Sequence, residues 1–225
     1  MLPYRLNKQA DCMQVGIARR RNADRSAEMR SRLIAAARRL FVRQGYALTS
    51  TPAIVAEAGV TRGALYHHFP DKRAIFEAVV TAEAAAVADA IGAADAAGMS
   101  ALARLLVGAA AYVETMREAG RVQLLLVEGP AVLGRDTVRR IEAQHGDASL
   151  RVGLEEAMAV GDLPVMPIDA VATLLSAMFE RAAMEVAEGM SPSDILLAIE
   201  QIVGGLATLN GRLGRRPPQS TAATA

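Results

Sequence analysis

The segment GVTRGALYHHFPDK, residues 59–72, has the residue pattern of a short helix together with both of its ends. Thr61 is a residue type that favours the N-cap of a helix, and Pro70 cannot continue one. Gly59 breaks the chain just before the cap. The stretch also holds two of the three histidines and one of the four tyrosines. We therefore predict a helix over residues 62–69 that concentrates polar aromatic groups.

The side chains of this helix divide into two faces at about 100° per residue. The first face contains Arg62, Gly63, Tyr66 and His67. The second contains Ala64, Leu65 and His68, with Phe69 at its edge. The second face is small and apolar enough to pack on neighbouring helices, whereas the first offers a guanidinium, a phenol and an imidazole. Such a face is typical of a recognition helix that reads base edges in the major groove of DNA.

Two further helices are predicted upstream. An apolar face repeats at offsets of four, seven and eight residues and ends at Gly45. Its members are Leu33, Ala37, Leu40 and Phe41. A second, short helix has N-cap oxygens before it and apolar residues within it; these are Thr49, Ser50, Thr51, Ile54, Val55 and Ala58. Three short helices with a tight glycine turn before the third form the helix-turn-helix pattern. A fourth helix, capped by Asp71, is predicted over residues 74–97.

A metal site and a catalytic cluster are weaker interpretations of the two histidines. Adjacent residues point about 100° apart on a helix, so His67 and His68 cannot easily ligate one ion, and only His145 remains elsewhere. Catalysis needs a nucleophile, a base and an orienting carboxylate, and the nearest acid, Asp71, has the position of an N-cap. The sequence therefore predicts no metal, no cofactor and no enzymatic activity.

The composition favours an all-helical protein in a reducing compartment. The chain has 225 residues, 52% of them hydrophobic, and no tryptophan, which is enough for one large domain or two small ones. Cys12 is the single cysteine and excludes an internal disulfide. No segment has the roughly 18 uncharged apolar residues of a membrane span, and the N-terminus lacks the apolar run of a secretory signal. We expect a cytoplasmic protein that does not enter a membrane.

The charge is distributed unevenly along the chain. Residues 1–73 contain 14 arginines and lysines against 5 acids, a net charge of +9, whereas residues 74–225 carry a net charge of −8. Such asymmetry indicates a region that binds a polyanion and a second region with another role. A basic tail on an ordinary domain is an equally good explanation of the composition alone.

From Arg30 to Val80 the sequence resembles the DNA-binding domain of the tetracycline-repressor (TetR) family of bacterial transcription regulators. The matching segments are AAARRLFVRQGY (35–46), TS (49–50), Ile54 with Ala56, AGVTRGALYHHF (58–69) and DK (71–72). The sequence departs from the family's usual pattern at Thr51-Pro52. The resemblance covers about a quarter of the chain, and its longest string is far more specific than a lone glycine motif.

The resemblance implies a role for each matching polar residue. Thr61, Arg62 and His67 would face bases, with Arg62 best suited to the N7 and O6 atoms of guanine. Tyr66, His68 and Lys72 would hold phosphates. Thr49 or Ser50 would add a phosphate contact at the N-terminus of the second helix, where free N–H groups and the helix dipole favour an anion. Gly63 would let the DNA surface approach closely.

For the rest of the chain, the resemblance implies an all-helical domain that dimerises and holds an inducer. Two helical stretches, 168–188 and 192–212, would pair antiparallel and form a four-helix interface with their copies. Apolar stripes alone are equally compatible with an ordinary core. Few charges lie on the apolar faces, which favours a neutral or lipophilic ligand, and methionines adapt to varied ligands. The candidate pocket residues are Leu105, Tyr112, Met116, Leu125, Met158 and Met178.

These inferences divide the chain into four parts. They are a basic flexible arm (1–28), a helix-turn-helix DNA-binding domain (29–80, motif about 50–69), a helical ligand-binding and dimerisation domain (81–213) and a disordered tail (214–225). The predicted function is a homodimeric regulator that represses from an inverted-repeat operator in double-stranded DNA and is released by a small, largely apolar ligand. The alternative is an orphan dimeric regulator that binds DNA without a small-molecule inducer.

Overall fold

The computed structural model describes the backbone of residues 8–96, 98–145 and 147–213, and side chains within 24–96, 98–145 and 150–208. These ranges contain ten α-helices, one π-helical segment and no strand, which confirms the predicted all-α fold class. The helices are α1 Lys8–Leu48, α2 Thr51–Ala58, α3 Arg62–His68, α4 Lys72–Ala94, α5 Ala101–Met116, α6 Gly129–Leu133, α7 Arg135–His145, α8 Asp147–Ala159, α9 Ile168–Ala187 and α10 Pro192–Leu213. The chain forms two compact units, Met1–Val79 and Val80–Ala225.

The first helix begins much earlier than its apolar pattern predicts. Residues 1–28 were expected to form a flexible arm, but α1 starts at Lys8. Residues 8–28 contain one glycine and no proline, and they are rich in alanine, arginine and glutamine. These residue types favour a helix, so the lack of an apolar face does not end it. Residues 1–7 of the expected arm and the expected tail, 214–225, lie outside the described residues.

Glycines set the two turns of the N-terminal unit, as predicted. Gly45 has φ 76° and ψ 167°, which interrupts the regular geometry of α1. Gly59 has φ 63° and ends α2, where its N–H donates to the Ala56 carbonyl and the N–H of Val60 donates to that of Val55. An L-residue rarely adopts such positive φ values, which is why glycine stands at both turns.

The core of the N-terminal unit is assembled from one face of each of its helices. Phe41, Tyr46 and Phe76 form an aromatic cluster with ring centroids 4.9 to 5.8 Å apart, and two of its three pairs are edge-to-face, a favoured geometry. The other large buried side chains of this core are Leu33, Leu40, Ile54, Leu65, Phe69 and Ile75. Leu65 and Phe69 anchor α3 from beneath, and this leaves its polar face outward.

In the C-terminal unit, α5 packs against α8, α9 and α10. The last two helices match their predicted bounds closely. The π-helical segment Gln123–Glu128 continues directly into α6, and the chain turns only at Gly134, whose φ is 80°. Pro130 stands in the first turn of α6, where its missing N–H is not needed. None of the helices in the described ranges combines the length and hydrophobicity that a membrane span requires.

Candidate nucleic-acid interface

The third helix presents the polar face that its sequence predicts. The Oγ1 of Thr61 accepts a hydrogen bond from the N–H of Ala64 at 3.2 Å and caps the helix. Leu65 and Phe69 are buried on the inner side. The residues of the outer side, Arg62, Gly63, Tyr66 and His67, are all exposed. Thr61 is exposed as well, although its oxygen already serves as the cap.

Two of these outward side chains are held in a defined arrangement. The guanidinium carbon of Arg62 lies 5.5 Å from the centroid of the Tyr66 ring, within cation–π range. The hydroxyl oxygens of Tyr66 and Thr51 are 3.5 Å apart. The hydrogen bond with Thr51, and secondarily Arg62, lowers the pKa of the Tyr66 hydroxyl. The phenol therefore sits at the junction of α2 and α3 with its hydroxyl polarised.

The two histidines differ in exposure. His67 is exposed and His68 is half-buried. Their ring centroids are 5.2 Å apart at an interplanar angle of 73°. Gly63 has open space where a Cβ would stand, with only the Thr61 Oγ1 as near as 4.0 Å. A surface that approaches α3 from outside thus meets backbone at residue 63 and an imidazole at residue 67.

At the start of α2 the structure separates two residues that were predicted as alternatives. Ser50 is exposed and is the N-cap, accepting a hydrogen bond from the N–H of Ala53 at 3.3 Å. Thr49 is only 1% exposed, and its hydroxyl donates to the Gly45 carbonyl at 2.8 Å. The Thr49 hydroxyl is therefore inside and already bonded, and of the two alternatives it is Ser50 whose side chain faces outward.

Lys72, which the resemblance assigns to a phosphate, also makes contacts within the protein. It is half-buried, and its ammonium donates to the Tyr46 carbonyl at 2.8 Å and to the Ala47 carbonyl at 3.4 Å. The same Nζ lies 4.1 Å from the centroid of the Tyr46 ring. Two of its three donors are therefore directed at the end of α1 rather than outward.

Arg30 is an exposed cation that the sequence did not single out. Its guanidinium carbon lies 5.2 Å from the centroid of the Phe69 ring, at the end of α3. Neither Arg30 nor Arg62 has an acidic partner within the part of the chain that the structure describes. The contact joins residues 39 positions apart, so no local pattern in the sequence could have predicted it.

Other arginines of the N-terminal unit are engaged within the protein. Arg32 donates to the Ala58 carbonyl at 2.9 Å, at the end of α2. Arg39 and Arg43 both bond to Glu57, at 2.8 and 3.4 Å, and the hydrogen bond from Arg39 is the main cause that lowers the pKa of the Glu57 carboxyl. Arg39 and Arg43 thus share an acidic partner, whereas Arg30 and Arg62 near α3 have none among the described residues.

The candidate pocket residues fall into two hydrophobic clusters of the C-terminal unit. Leu105, Met158 and Met178 pack on the larger cluster, and Met116 and Leu125 belong to the smaller one. Tyr112 contacts both clusters, and burial raises the pKa of its hydroxyl, with Glu180 and Glu142 adding to the effect. Tyr112 is thus the candidate residue that the two clusters share. No group of three potential metal ligands occurs among the described residues.

Comparison with known proteins assigns a family to each region. Residues 33–79 match the family model for bacterial regulatory proteins of the tetR family, and residues 102–209 match that for the tetracyclin repressor-like C-terminal domain. The HTH-type transcriptional repressor BepR of Brucella suis is 39% identical over 61 residues, which are 27% of this chain and 29% of BepR. The regulator TtgR of Pseudomonas putida is 41% identical over 61 residues, with the same two shares.

A solved structure extends the similarity beyond the first unit. The crystal structure of a tetR-family transcriptional regulator from Pectobacterium atrosepticum has a TM-score of 0.65 and 29% identity, over 81% of this chain and 96% of that chain. This chain spans only 29% of the length of BepR and of TtgR. These relatives are transcriptional regulators and not enzymes. With a family model matching each of its two regions, the chain belongs to the tetR family of bacterial regulatory proteins.

Proposed function

We propose that this protein is a cytoplasmic, sequence-specific DNA-binding regulator that acts as a transcriptional repressor. The observation that carries the proposal is the exposed face of α3, on which Arg62, Tyr66 and His67 stand out from a helix anchored by buried Leu65 and Phe69. Its dimensions suit the major groove, which admits one α-helix. The net charge of +9 over residues 1–73 supplies the attraction to phosphates that this class of binding needs.

In this proposal some residues contact bases and others contact phosphates. Arg62 pairs with the N7 and O6 atoms of a guanine, and His67 and Thr61 face neighbouring bases. Gly63 allows the DNA to approach α3. Phosphate contacts come from Ser50, Tyr66, His68 and Arg30. Arg30 has a planar fork that suits a phosphate, and its stacking on Phe69 orients that fork.

The protein is proposed to bind as a homodimer through α9 and α10. Leu174, Leu197 and Ile202 are 71%, 54% and 52% exposed on these two helices, and large exposed apolar side chains in one region indicate an interaction surface. Gly204 and Gly205 have open space in place of a Cβ, which permits close approach of another helix. A two-fold dimer carries two copies of α3, so the operator is an inverted repeat.

A small, largely apolar ligand is proposed to release the repressor from DNA. Tyr112 is the best anchor for such a ligand, because it contacts both apolar clusters and carries a hydroxyl that can hydrogen-bond. Helix α4 begins at Lys72 in one unit and ends at Ala94 in the other, so displacing it would alter α3 through the chain itself. The alternative is a dimeric regulator without an inducer.

The first experiment measures DNA binding directly. Genomic fragments that the protein retains give the operator, and fluorescence anisotropy then gives its affinity as a function of salt. We expect a steep salt dependence and a site with dyad symmetry. Arg62→Ala should weaken binding by about 1–3 kcal/mol and relax the preference at one base pair per half-site. Arg39→Ala, which removes an equal charge already paired with Glu57, is the matched control.

The outcomes separate the proposals. An affinity that does not depend on salt, or a best site without symmetry, contradicts the DNA-binding proposal. For release, a ligand found by its effect on thermal unfolding is tested for affinity with and without the operator. By reciprocity the operator must weaken ligand binding by the same factor as the ligand weakens operator binding, typically about 5- to 150-fold. Equal affinities favour the regulator without an inducer.

A further inference from the structure

In the turn that joins α1 to α2, four consecutive carbonyl groups each accept a hydrogen bond. The Gly45 carbonyl accepts from the Thr49 hydroxyl at 2.8 Å, and the Leu48 carbonyl accepts from the Gln44 amide at 3.2 Å. The Tyr46 and Ala47 carbonyls accept from the Lys72 ammonium. The Gln44 amide also donates to the Thr49 Oγ1 at 3.3 Å. Carbonyls at the end of a helix otherwise lack partners, so this turn is tied down throughout.

The Lys72 ammonium also contacts an aromatic ring of the core next to this turn. Its ammonium lies against the Tyr46 ring, and that ring packs on Phe41 and Phe76 in the aromatic core. A cation at the C-terminal end of a helix also meets the negative end of the helix dipole. The ammonium therefore links the first residue of α4 to the end of α1, and it leaves the turn little freedom.

The residue that follows the turn is Ser50, the N-cap of α2. Its Oγ accepts a hydrogen bond from the N–H of Ala53. In the proposed function, the N-terminal end of α2, which Ser50 caps, faces an operator phosphate. A contact of this kind depends on placement within a fraction of an ångström, because hydrogen bonds weaken steeply with distance and angle. Whatever holds residues 45–49 consequently holds the N-terminus of α2.

We propose that Thr49 and Lys72 are positioning residues for DNA binding, which act through the α1–α2 turn to hold Ser50 and the N-terminus of α2 against an operator phosphate. The inference rests on the proposed function and goes beyond it, because it gives a role in DNA recognition to a threonine that is 1% exposed and cannot touch DNA.

The salt dependence of binding distinguishes positioning from a direct phosphate contact. Each lysine or arginine on a phosphate contributes about 0.9 to the slope of log affinity against log salt. Thr49→Val removes the hydroxyl without altering charge or volume much, and Thr49→Ser restores it. Lys72→Met keeps the stem on the Tyr46 ring and removes the ammonium. The full-length variants are compared by anisotropy on the selected operator, with circular dichroism to establish that each is folded at the assay temperature.

Thr49→Val is expected to weaken operator binding about five- to tenfold, as for the loss of a buried hydrogen bond, with an unchanged salt slope, and Thr49→Ser to recover most of it. Lys72→Met is expected to weaken binding and to lower the salt slope by less than half of the amount that one phosphate contact contributes. In a Ser50→Ala background, Thr49→Val should have little further effect, because both act through one contact.

Three results would overturn the inference. The first is a folded Thr49→Val variant that binds as wild type does. The second is a Thr49→Val effect that adds in full to that of Ser50→Ala. The third is a Lys72→Met slope lowered by about 0.9, which would make Lys72 a phosphate ligand; this third test stands even if Thr49→Val fails to fold. A wild-type protein without salt-dependent affinity for duplex DNA would instead overturn the proposed function, and this inference with it.

Discussion

Glu83 and Arg121 form a buried ion pair in the C-terminal unit, and its removal should destabilise the protein strongly. The Arg121 Nε donates to the Glu83 carboxylate at 2.8 Å, and Nη1 donates to the Thr115 carbonyl at 2.6 Å. The side chain of Arg121 is 12% exposed and that of Glu83 is 8% exposed. At an effective dielectric constant of 20, unit charges about 4 Å apart attract by about 4 kcal/mol. Solvent screens this pair little, because both groups are almost fully enclosed.

The perturbation that tests this is Glu83→Gln, which keeps the shape of the side chain and leaves the arginine buried without its counter-charge. Removing one partner of a buried pair costs about 3–5 kcal/mol, since the remaining charge keeps its desolvation penalty. Replacing both residues together, by Glu83→Met with Arg121→Met, should recover most of that loss. The coupling energy between the two residues is therefore large, but the pair adds little to the free energy of unfolding compared with two apolar residues.

The assay is urea unfolding at one fixed chain concentration, followed by circular dichroism. Glu156→Gln is the matched control, because it breaks the Arg104–Glu156 pair, whose side chains are 35% and 47% exposed. An exposed pair is worth about 0–1 kcal/mol. Refutation would be a Glu83→Gln loss no larger than that of the control, or a double variant that loses as much as the sum of the two single variants.

Further expectations concern the two proposed surfaces. Gly63→Ala should leave the protein as stable as wild type or up to about 1 kcal/mol more stable, because alanine favours a helix, while its operator affinity falls. Urea unfolding measures the change in stability and anisotropy measures the change in affinity. A variant that binds as well as wild type would show that Gly63 does not lie in the interface. Arg30→Ala should lower the salt slope by about 0.9, and Arg39→Ala should not; equal slopes would exclude the Arg30 phosphate contact. Leu174→Glu should shift the protein towards monomer in analytical ultracentrifugation, whereas Val127→Glu, 45% exposed on the π-helical segment, should not; an intact dimer in both would contradict an interface on α9.

Much of the candidate interface was predictable because it depends on short-range chemistry. Thr61 caps α3 and Ser50 caps α2 through bonds that span three residues. Gly59 ends α2 with its own φ of 63°. The periodicity of residues 62–69 sorted exposed from buried side chains correctly, because a helix of known pitch has only one way to present them.

The features that the sequence did not predict each concern contacts between distant parts of the chain or the lack of a local signal. Thr49 lies inside because the turn before α2 folds back on Gly45. Lys72 meets carbonyls 25 and 26 residues away. The early start of α1 was missed because residues 8–28 have helix-forming composition but no apolar face, and periodicity was the criterion.

The all-helical class, the position of the recognition helix and the family were predictable from the residues alone, because capping, helical period and the specific string from Ala58 to Phe69 are local properties. Which polar groups remain available depends instead on how the chain folds. Arg39 and Arg43 share the single carboxylate of Glu57, while Arg30 rests on Phe69 without an acidic partner among the described residues. The physical reason is that a charge or hydroxyl is free for a ligand only after the protein's own donors and acceptors have been satisfied, and those partners are brought near by packing rather than by position in the chain.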